Sequence, residues 1–435
     1  MIRNPAVAGQ FYPEEAAQLR SVIKKMVEDN IPRTDAVGVI VPHAGYIYSG
    51  RVAGAVFSRI GFTDTFIIMG PNHTGKGVPF SIMTEGTWKT PLGDVEIDSE
   101  LGKKILGSSK YLEEDFQAQK NEHSIEVQIP FLQYFRQDIK IVPIVLGFAG
   151  TNEYQAVGKE IARAVKDLNR KVVIVASSDM THYEPQETAR RKDNEAIQAI
   201  LNLNENELSR RVHGLDISMC GIAPVVALLT AAKILGAGGV ELVKYQTSGD
   251  TTGDTSSVVG YAGIMIKEMS PVTRLAKDTV ETYVTTGKIP GVKELASELQ
   301  ERAGVFVSIH KLGELRGCIG TFEPTQPNVA GEIMNNAVSS ATEDPRFLPI
   351  SREELGDLDY SVDVLTKPEP VAGKTQLDPK KYGVIVQAGR RRGLLLPDLE
   401  GVETVDRQIE ICRQKAGIAP DEPVTLHRFQ VRRYK

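Results

Sequence analysis

Three histidines in the first half of this chain each follow a short apolar run and a turn. His43 comes after residues 37–42, His73 after residues 65–71, and His182 after residues 171–176 and Ser177-Ser178-Asp179-Met180-Thr181. Runs of Val, Ile and Ala of this length read as buried strands, and open α/β sheets present ligands at the carboxyl ends of such strands. Imidazoles delivered to one sheet rim are metal ligands or proton carriers by chemical type. Cys220, in Met219-Cys220-Gly221 ahead of an apolar helix, adds a thiol that supplies negative charge once deprotonated. His43, His73 and Cys220 together have the donor count of a facial triad, two imidazoles and one anion, with positions left open for substrate. His123, Asp179 and His182 would then orient these ligands or move protons. Taken singly, each histidine reads more readily as a helix cap or a partner for buried backbone, and Cys220 as a small buried hydrophobe, whereas His43, His73 and His182 together favour a site. His213, in Arg211-Val212-His213-Gly214, reads as a helix C-terminal residue without a part in the site.

The elements that must position these residues alternate. A helix is expected over residues 14–28, then the His43 strand, a small-residue helix to about Ile60, and the His73 strand, which is the spacing of a βαβ unit. A hairpin excursion follows at residues 80–98. His123 opens a helix running towards Phe135, with Ile125, Ile129 and Leu132 as its buried stripe. A strand, a helix and the strand leading to His182 come next, then one long polar helix over 187–212 and two final strands around 240–266. The loop 247–254, rich in Gly, Asp and Thr, reads as part of a site wall. His43 and His73 are expected to end adjacent strands.

At Met269-Ser270-Pro271 the order changes to two helices (272–285 and 292–302) followed by turn-separated strands, an α+β pattern. The expected domains are therefore 1–270 and 271–435. The second contains Leu315-Arg316-Gly317-Cys318-Ile319-Gly320-Thr321, where Arg316 and Cys318 form a candidate second site with an arginine-activated thiol. Its arginine-rich stretch at 389–393 reads as a solvated turn.

A length of 435 residues exceeds one ordinary core, and the 41% hydrophobic and 25% charged content is that of a globular protein. A net charge of -5 argues against a nucleic-acid partner held by bulk electrostatics. No apolar run approaches a membrane span, and Met1-Ile2-Arg3-Asn4-Pro5 lacks the apolar core of a signal peptide. Three dispersed cysteines make no disulfide framework, so the expected location is the cytoplasm, without nucleic-acid or membrane partners.

Residues 1–268 resemble the MEMO family, relatives of class III extradiol dioxygenases. The matches are Ala8-Gly9-Gln10-Phe11-Tyr12-Pro13, Pro42-His43-Ala44-Gly45-Tyr46, Gly70-Pro71-Asn72-His73, Asn121-Glu122-His123-Ser124, Ser178-Asp179-Met180-Thr181-His182 and Met219-Cys220-Gly221. The resemblance implies an α/β helix–sheet–helix domain of the LigB-like extradiol dioxygenase type. It also implies a divalent metal on His43, His73 and Cys220, with His123, Asp179 and His182 around it. Fe(II) is the expected ion, with copper or zinc as alternatives. Residues 272–435 resemble the AMMECR1 family, which implies a smaller α+β domain. Fusion of the two resembles proteins of the AmmeMemoRadiSam system, which implies a radical-SAM enzyme as partner. The expected function is a metal-dependent redox or modifying enzyme acting on a small molecule or peptide. The alternative is a non-catalytic peptide- or anion-binding scaffold module with a vestigial metal site.

Overall fold

The structure, a computed structural model, describes every residue except Lys293, Leu312, Glu400 and Lys435. The chain divides into two compact units, Met1–Glu268 and Met269–Lys435. Among the described residues no helix is long and apolar enough to cross a membrane.

The first unit is built on a twelve-stranded mixed sheet among the described residues. Its centre is parallel, in the order Lys140–Leu146, Thr65–Pro71, Val172–Ser177, Ala36–Val41. These four strands are buried almost throughout, as a sheet covered on both faces requires. Successive side chains divide between two cores. Ile67, Met69, Ile174 and Ala176 pack in one with the helices Thr151–Asp167 and Ile222–Leu235. Phe66, Ile68, Val173 and Val175 pack in the other with Tyr46–Phe57 and Ile129–Phe135. The long strands Ala237–Thr247 and Val258–Glu268 pair antiparallel to each other, and the second closes against Ala36–Val41.

Two consequences bear on the site. The parallel strands all present their carboxyl ends at one edge, so His43, His73 and the loop after Ser177 emerge together. However, the His43 and His73 strands are not neighbours. Val172–Ser177 lies between them and pairs with both. The adjacency expected from sequence is corrected accordingly, and the inserted strand supplies Ser177 midway between the two histidines.

Several helices are shorter than their polar patterning predicts. The segment expected to run unbroken from 187 to 212 forms Gln186–Leu201 and Glu205–Gly214. Leu203 takes a φ of 50° between them, and the Asn204 side chain caps the second helix by accepting from the Glu207 amide at 2.9 Å. The His123 helix breaks into His123–Glu126 and Ile129–Phe135, because Pro130 has no amide to give the Glu126 carbonyl.

The second unit has two four-stranded antiparallel sheets among the described residues. In one, Val305–Lys311 lies between Glu314–Thr321 and Leu358–Leu365, with Val431–Tyr434 outermost. The helices Pro271–Thr286 and Val329–Thr342 share its core. The other sheet packs with Val405–Ala416. Of the helix expected over 292–302, Lys293 lies outside the described residues and the rest forms only a single turn at Ser297–Leu299. Of the arginines read as a solvated turn, Arg390 lies in the turn with Gly389, while Arg391 and Arg392, also exposed, open the strand Arg391–Leu395, which pairs with Gly383–Ala388.

Each unit has separate apolar cores. Fragments 1–270 and 271–435, expressed apart, are expected to unfold cooperatively in denaturant. Fragments that melt without a cooperative transition would contradict independent folding.

Candidate metal centre at the carboxyl edge of the sheet

His43 is buried, 2% exposed, and its ring is fixed by a network with little freedom. The Ser177 hydroxyl donates its proton to the Ser124 carbonyl at 2.6 Å. The Gln128 amide donates to Ser177 Oγ and to the Pro42 carbonyl, each at 2.9 Å. Ser177 Oγ therefore meets His43 Nδ1, 3.0 Å away, as an acceptor, and Nδ1 carries the hydrogen. That tautomer leaves a lone pair on Nε2, which lies 3.2 Å from Cys220 Sγ. Burial, and the neighbouring imidazoles of His73, His123 and His182, hold His43 well below the usual histidine pKa, so the ring is neutral.

His73 is fixed in the same way by a carboxylate. Its amide donates to Glu122 Oε2 at 2.7 Å, and its Nδ1 lies 2.9 Å from Glu122 Oε1. Burial works against ionisation of Glu122, but hydrogen bonds from His73 and the Ser124 amide outweigh it and lower its pKa to about 2. An ionised acceptor places a hydrogen on Nδ1, so Nε2 is the nitrogen left to meet an ion. His123 follows Glu122 directly. Its ring stacks on His73 with centroids 4.6 Å apart and rests against Phe11 at 4.9 Å. Donor atoms of His43, His73 and His123 all lie within 4.8 Å of one another.

Cys220 reaches the rim from the turn before Ile222–Leu235. Its sulfur accepts from the Asp179 amide at 3.3 Å. Close approach of this turn needs Gly221, where a Cβ would lie 2.3 Å from the Ser178 Cβ. Gly70 has the same function under His73, since a Cβ there would meet Ser124 Oγ at 2.2 Å. Burial, then the Asp179 charge, push the thiol well above its ordinary range. Asp179 is buried, accepts from the His43 amide at 2.8 Å, and is raised by burial to about 6.

His182 stands apart from the three clustered imidazoles. It begins a short strand, His182–Glu184, and its Nδ1 is held 2.9 Å from the Ser218 carbonyl, leaving Nε2 free. Asp193, fully buried, supports this loop by accepting from the Thr181 amide at 2.9 Å and the Tyr245 hydroxyl at 2.7 Å. His213 bonds the Ser209 carbonyl of its own helix at 2.7 Å.

The three clustered donors are imidazoles, and among the described residues Cys220 joins them through His43 alone, a pair that fits a divalent ion of intermediate softness. Two ligands at nitrogen and sulfur bond lengths of about 2.0 and 2.3 Å from one ion are separated by about 3 to 3.5 Å. The 3.2 Å between His43 Nε2 and Cys220 Sγ falls in that range. The hydrogen-bonded Nδ1 atoms are the usual outer partners of metal-ligating imidazoles.

The candidate second site is arranged differently from the sequence expectation. Arg316 does not serve Cys318, because its guanidinium is clamped by both Glu354 oxygens at 3.0 Å and by the Leu348 carbonyl at 2.8 Å. The arginine beside the thiol is Arg346, which donates to the Cys318 carbonyl at 3.1 Å and is paired with Asp344. Ser308 donates to Cys318 Sγ at 3.2 Å.

Glu122, Gln128 and Asp193 do not stand out in the sequence as parts of the site. Arg3 and Glu126 were missed as well. Arg3 is fully buried, pairs with Glu126, donates to the Glu122 carbonyl at 2.7 Å and stacks over Trp88 at 4.3 Å. Glu126 also accepts from the Ala6 and Val7 amides at 2.8 and 3.0 Å and from the Tyr12 hydroxyl at 2.6 Å. The N-terminal segment is thereby tied to the short helix that presents His123. The available signal was an acidic residue beside His123 in the Asn121-Glu122-His123-Ser124 motif.

An α/β sheet with a histidine–cysteine cluster at its carboxyl edge defines the class of this protein's first unit. A family profile described as Memo-like protein matches residues 3–265, and one described as AMMECR1 matches residues 273–435. The chain belongs to the Memo-like family through its first unit and carries an AMMECR1 domain as its second. A MEMO1 family protein of Methanococcoides burtonii is 50% identical over 268 residues, covering 61% of this chain and 100% of the relative. One from Pyrobaculum arsenaticum is 45% identical over 276 residues, covering 61% of this chain and 98% of the relative. A solved structure of an uncharacterised protein from Pyrococcus horikoshii is 33% identical, with a TM-score of 0.35, over 37% of this chain and 88% of that one.

Glu126→Ala leaves the Arg3 guanidinium buried and unpaired. It is expected to cost about 3–5 kcal/mol in urea unfolding, whereas Arg3→Met with Glu126→Leu recovers most of the loss. A single variant as stable as the parent would show that the pair does not hold the His123 segment.

Proposed function

We propose that the first unit is a non-haem metal protein of extradiol dioxygenase-like (LigB-like) architecture, with His43, His73 and Cys220 holding one divalent ion. The observation that carries this reading is the pair of imidazoles each oriented by a bonded Nδ1, with the Cys220 thiol 3.2 Å from the His43 Nε2. Fe(II) is the preferred ion because two imidazoles and one anion form the donor set of non-haem iron sites. Copper and zinc are the alternatives that a soft thiolate favours. When bound, such an ion supplies Lewis acidity and, for iron, redox chemistry.

The remaining groups act on the substrate or position those that do. His182 keeps its Nε2 free to accept or return a proton, and its Nδ1 bond to Ser218 fixes the direction of that nitrogen. Asp179 holds the His43 backbone through its amide and braces the Cys220 turn through its own N–H. Phe11 and the His123 ring close the side facing the N-terminal segment. The substrate is a small molecule or a peptide, and the AMMECR1 domain presents it or docks a radical-SAM partner.

A second ligand set, His43–His73–His123, is favoured by the proximity of those three donors, within 4.8 Å of one another. Single alanine variants separate the two. Protein purified without oxygen is expected to carry one ion, with most of it lost in His43→Ala, His73→Ala and Cys220→Ala. His182→Ala is expected to retain much of it, since losses from residues outside the ligand set are about 10–100-fold in affinity. Metal retained by Cys220→Ala but lost by His123→Ala would move the site to the three imidazoles. A parent that binds no metal, yet binds a peptide or anion, would favour the scaffold reading.

A further inference from the structure

Tyr261 lies on Val258–Glu268 and is 2% exposed. Its hydroxyl makes no hydrogen bond to any described residue, yet it is absent from the sealed, unpartnered polar atoms of the interior. The side chain is therefore buried, with only a trace of surface left at its unpaired oxygen. A buried aromatic ring ordinarily brings its hydroxyl to a partner, so an unpaired one that keeps some surface marks a place for a ligand atom.

The backbone places Tyr261 at the metal-centre rim. The Gly260 amide donates to the Thr181 carbonyl at 2.9 Å, and the Met180 amide to the Gly260 carbonyl at 2.8 Å, so Tyr261 follows a residue stitched to the loop between Asp179 and His182. Across the sheet Tyr261 stands opposite Gln246, whose side chain donates to the Tyr48 carbonyl at 2.6 Å. Tyr48 lies in the first turn of the helix after His43. Tyr183, next to His182, is 79% exposed, with a φ of 59° and its ring 5.7 Å from that of His182. A left-handed backbone at a bulky residue is strained, and such strain is often found at ligand sites. Burial, followed by the charges of Asp179, Tyr48 and Tyr183, keeps the Tyr261 phenol protonated and thus able to donate.

We propose that Tyr261 is a substrate-contacting residue, donating from its hydroxyl to a carbonyl or oxyanion oxygen of a ligand seated between Tyr48 and Tyr183. This rests on the reading of the rim as a metal-dependent substrate site. It adds the chemical class of the ligand: an oxygen acceptor presented beside an apolar or aromatic body. Tyr48 and Tyr183 supply the apolar walls, and Tyr261 the polar contact that orients the ligand.

The test uses the full chain, labelled with 13C at tyrosine Cζ, and 4-nitrocatechol as the probe. Tyr261→Phe removes one oxygen and keeps the ring, so metal content and thermal stability are expected to match the parent. The probe is expected to shift the Tyr261 resonance, identified by its loss in the variant, and to bind Tyr261→Phe about tenfold or more weakly. Binding equal within about twofold in parent and variant would overturn the proposal, as would a Tyr261 signal that no probe concentration moves. A parent without metal would count against the metal-centre reading alone. The same titration of metal-free protein would then decide the Tyr261 contact by the same two outcomes.

Discussion

The Ser177 hydroxyl has one proton, and it goes to the Ser124 carbonyl. Much of the site depends on that assignment. With the proton committed, Ser177 Oγ accepts from His43, the imidazole hydrogen sits on Nδ1, and Nε2 faces Cys220 with its lone pair free. Glu122 anchors His73 through the same nitrogen, Nδ1, with a carboxylate. Neutral, oriented imidazoles are what a metal requires, and burial around His43 opposes the protonation that would compete with it. A buried histidine without such anchors would be free to turn either nitrogen towards the cluster.

The fold brings these anchors together over long sequence distances. Ser177 ends the strand between those of His43 and His73, so one residue can serve the His43 ring and accept from the Gln128 side chain. The Glu122–Glu126 segment crosses this rim and is held from behind by buried Arg3. Removing a partner from a buried, hydrogen-bonded charge leaves the other uncompensated, which is why the N-terminal residues belong to the site although none of them reaches its centre. Gly70 and Gly221 permit the same convergence through the backbone, because a methyl group at either would collide with Ser124 or Ser178.

The sequence made the parallel strands legible because both of their faces are buried, and a continuous apolar run that ends in a turn fits little else than a strand in a covered sheet. His43, His73, Asp179, His182 and Cys220 were visible as chemistry at the ends or heads of those elements. The strand order was not legible. Nothing in the patterning of residues 37–42 or 65–71 encodes which third strand separates them. The supporting polar groups were hidden for a related reason: a buried Arg3, Gln128 or Asp193 looks like a surface residue until its partner, far along the chain, is known. In the second unit, Arg316 read as the neighbour of Cys318 from its spacing, but the guanidinium found a better-matched carboxylate in Glu354, and Arg346 arrived from another loop. Side-chain reach across the fold, rather than position along a strand, decided that arrangement.

The central claim is that the oriented imidazoles and the Cys220 thiolate share one ion. X-ray absorption at the iron edge, on anaerobically iron-loaded full-length protein, reads that arrangement without a substrate or an assay. The account predicts a first shell of nitrogen or oxygen at about 2.0–2.2 Å with one sulfur at about 2.3 Å, the sulfur disappearing in Cys220→Ser. A shell of light atoms alone in the parent protein would contradict it.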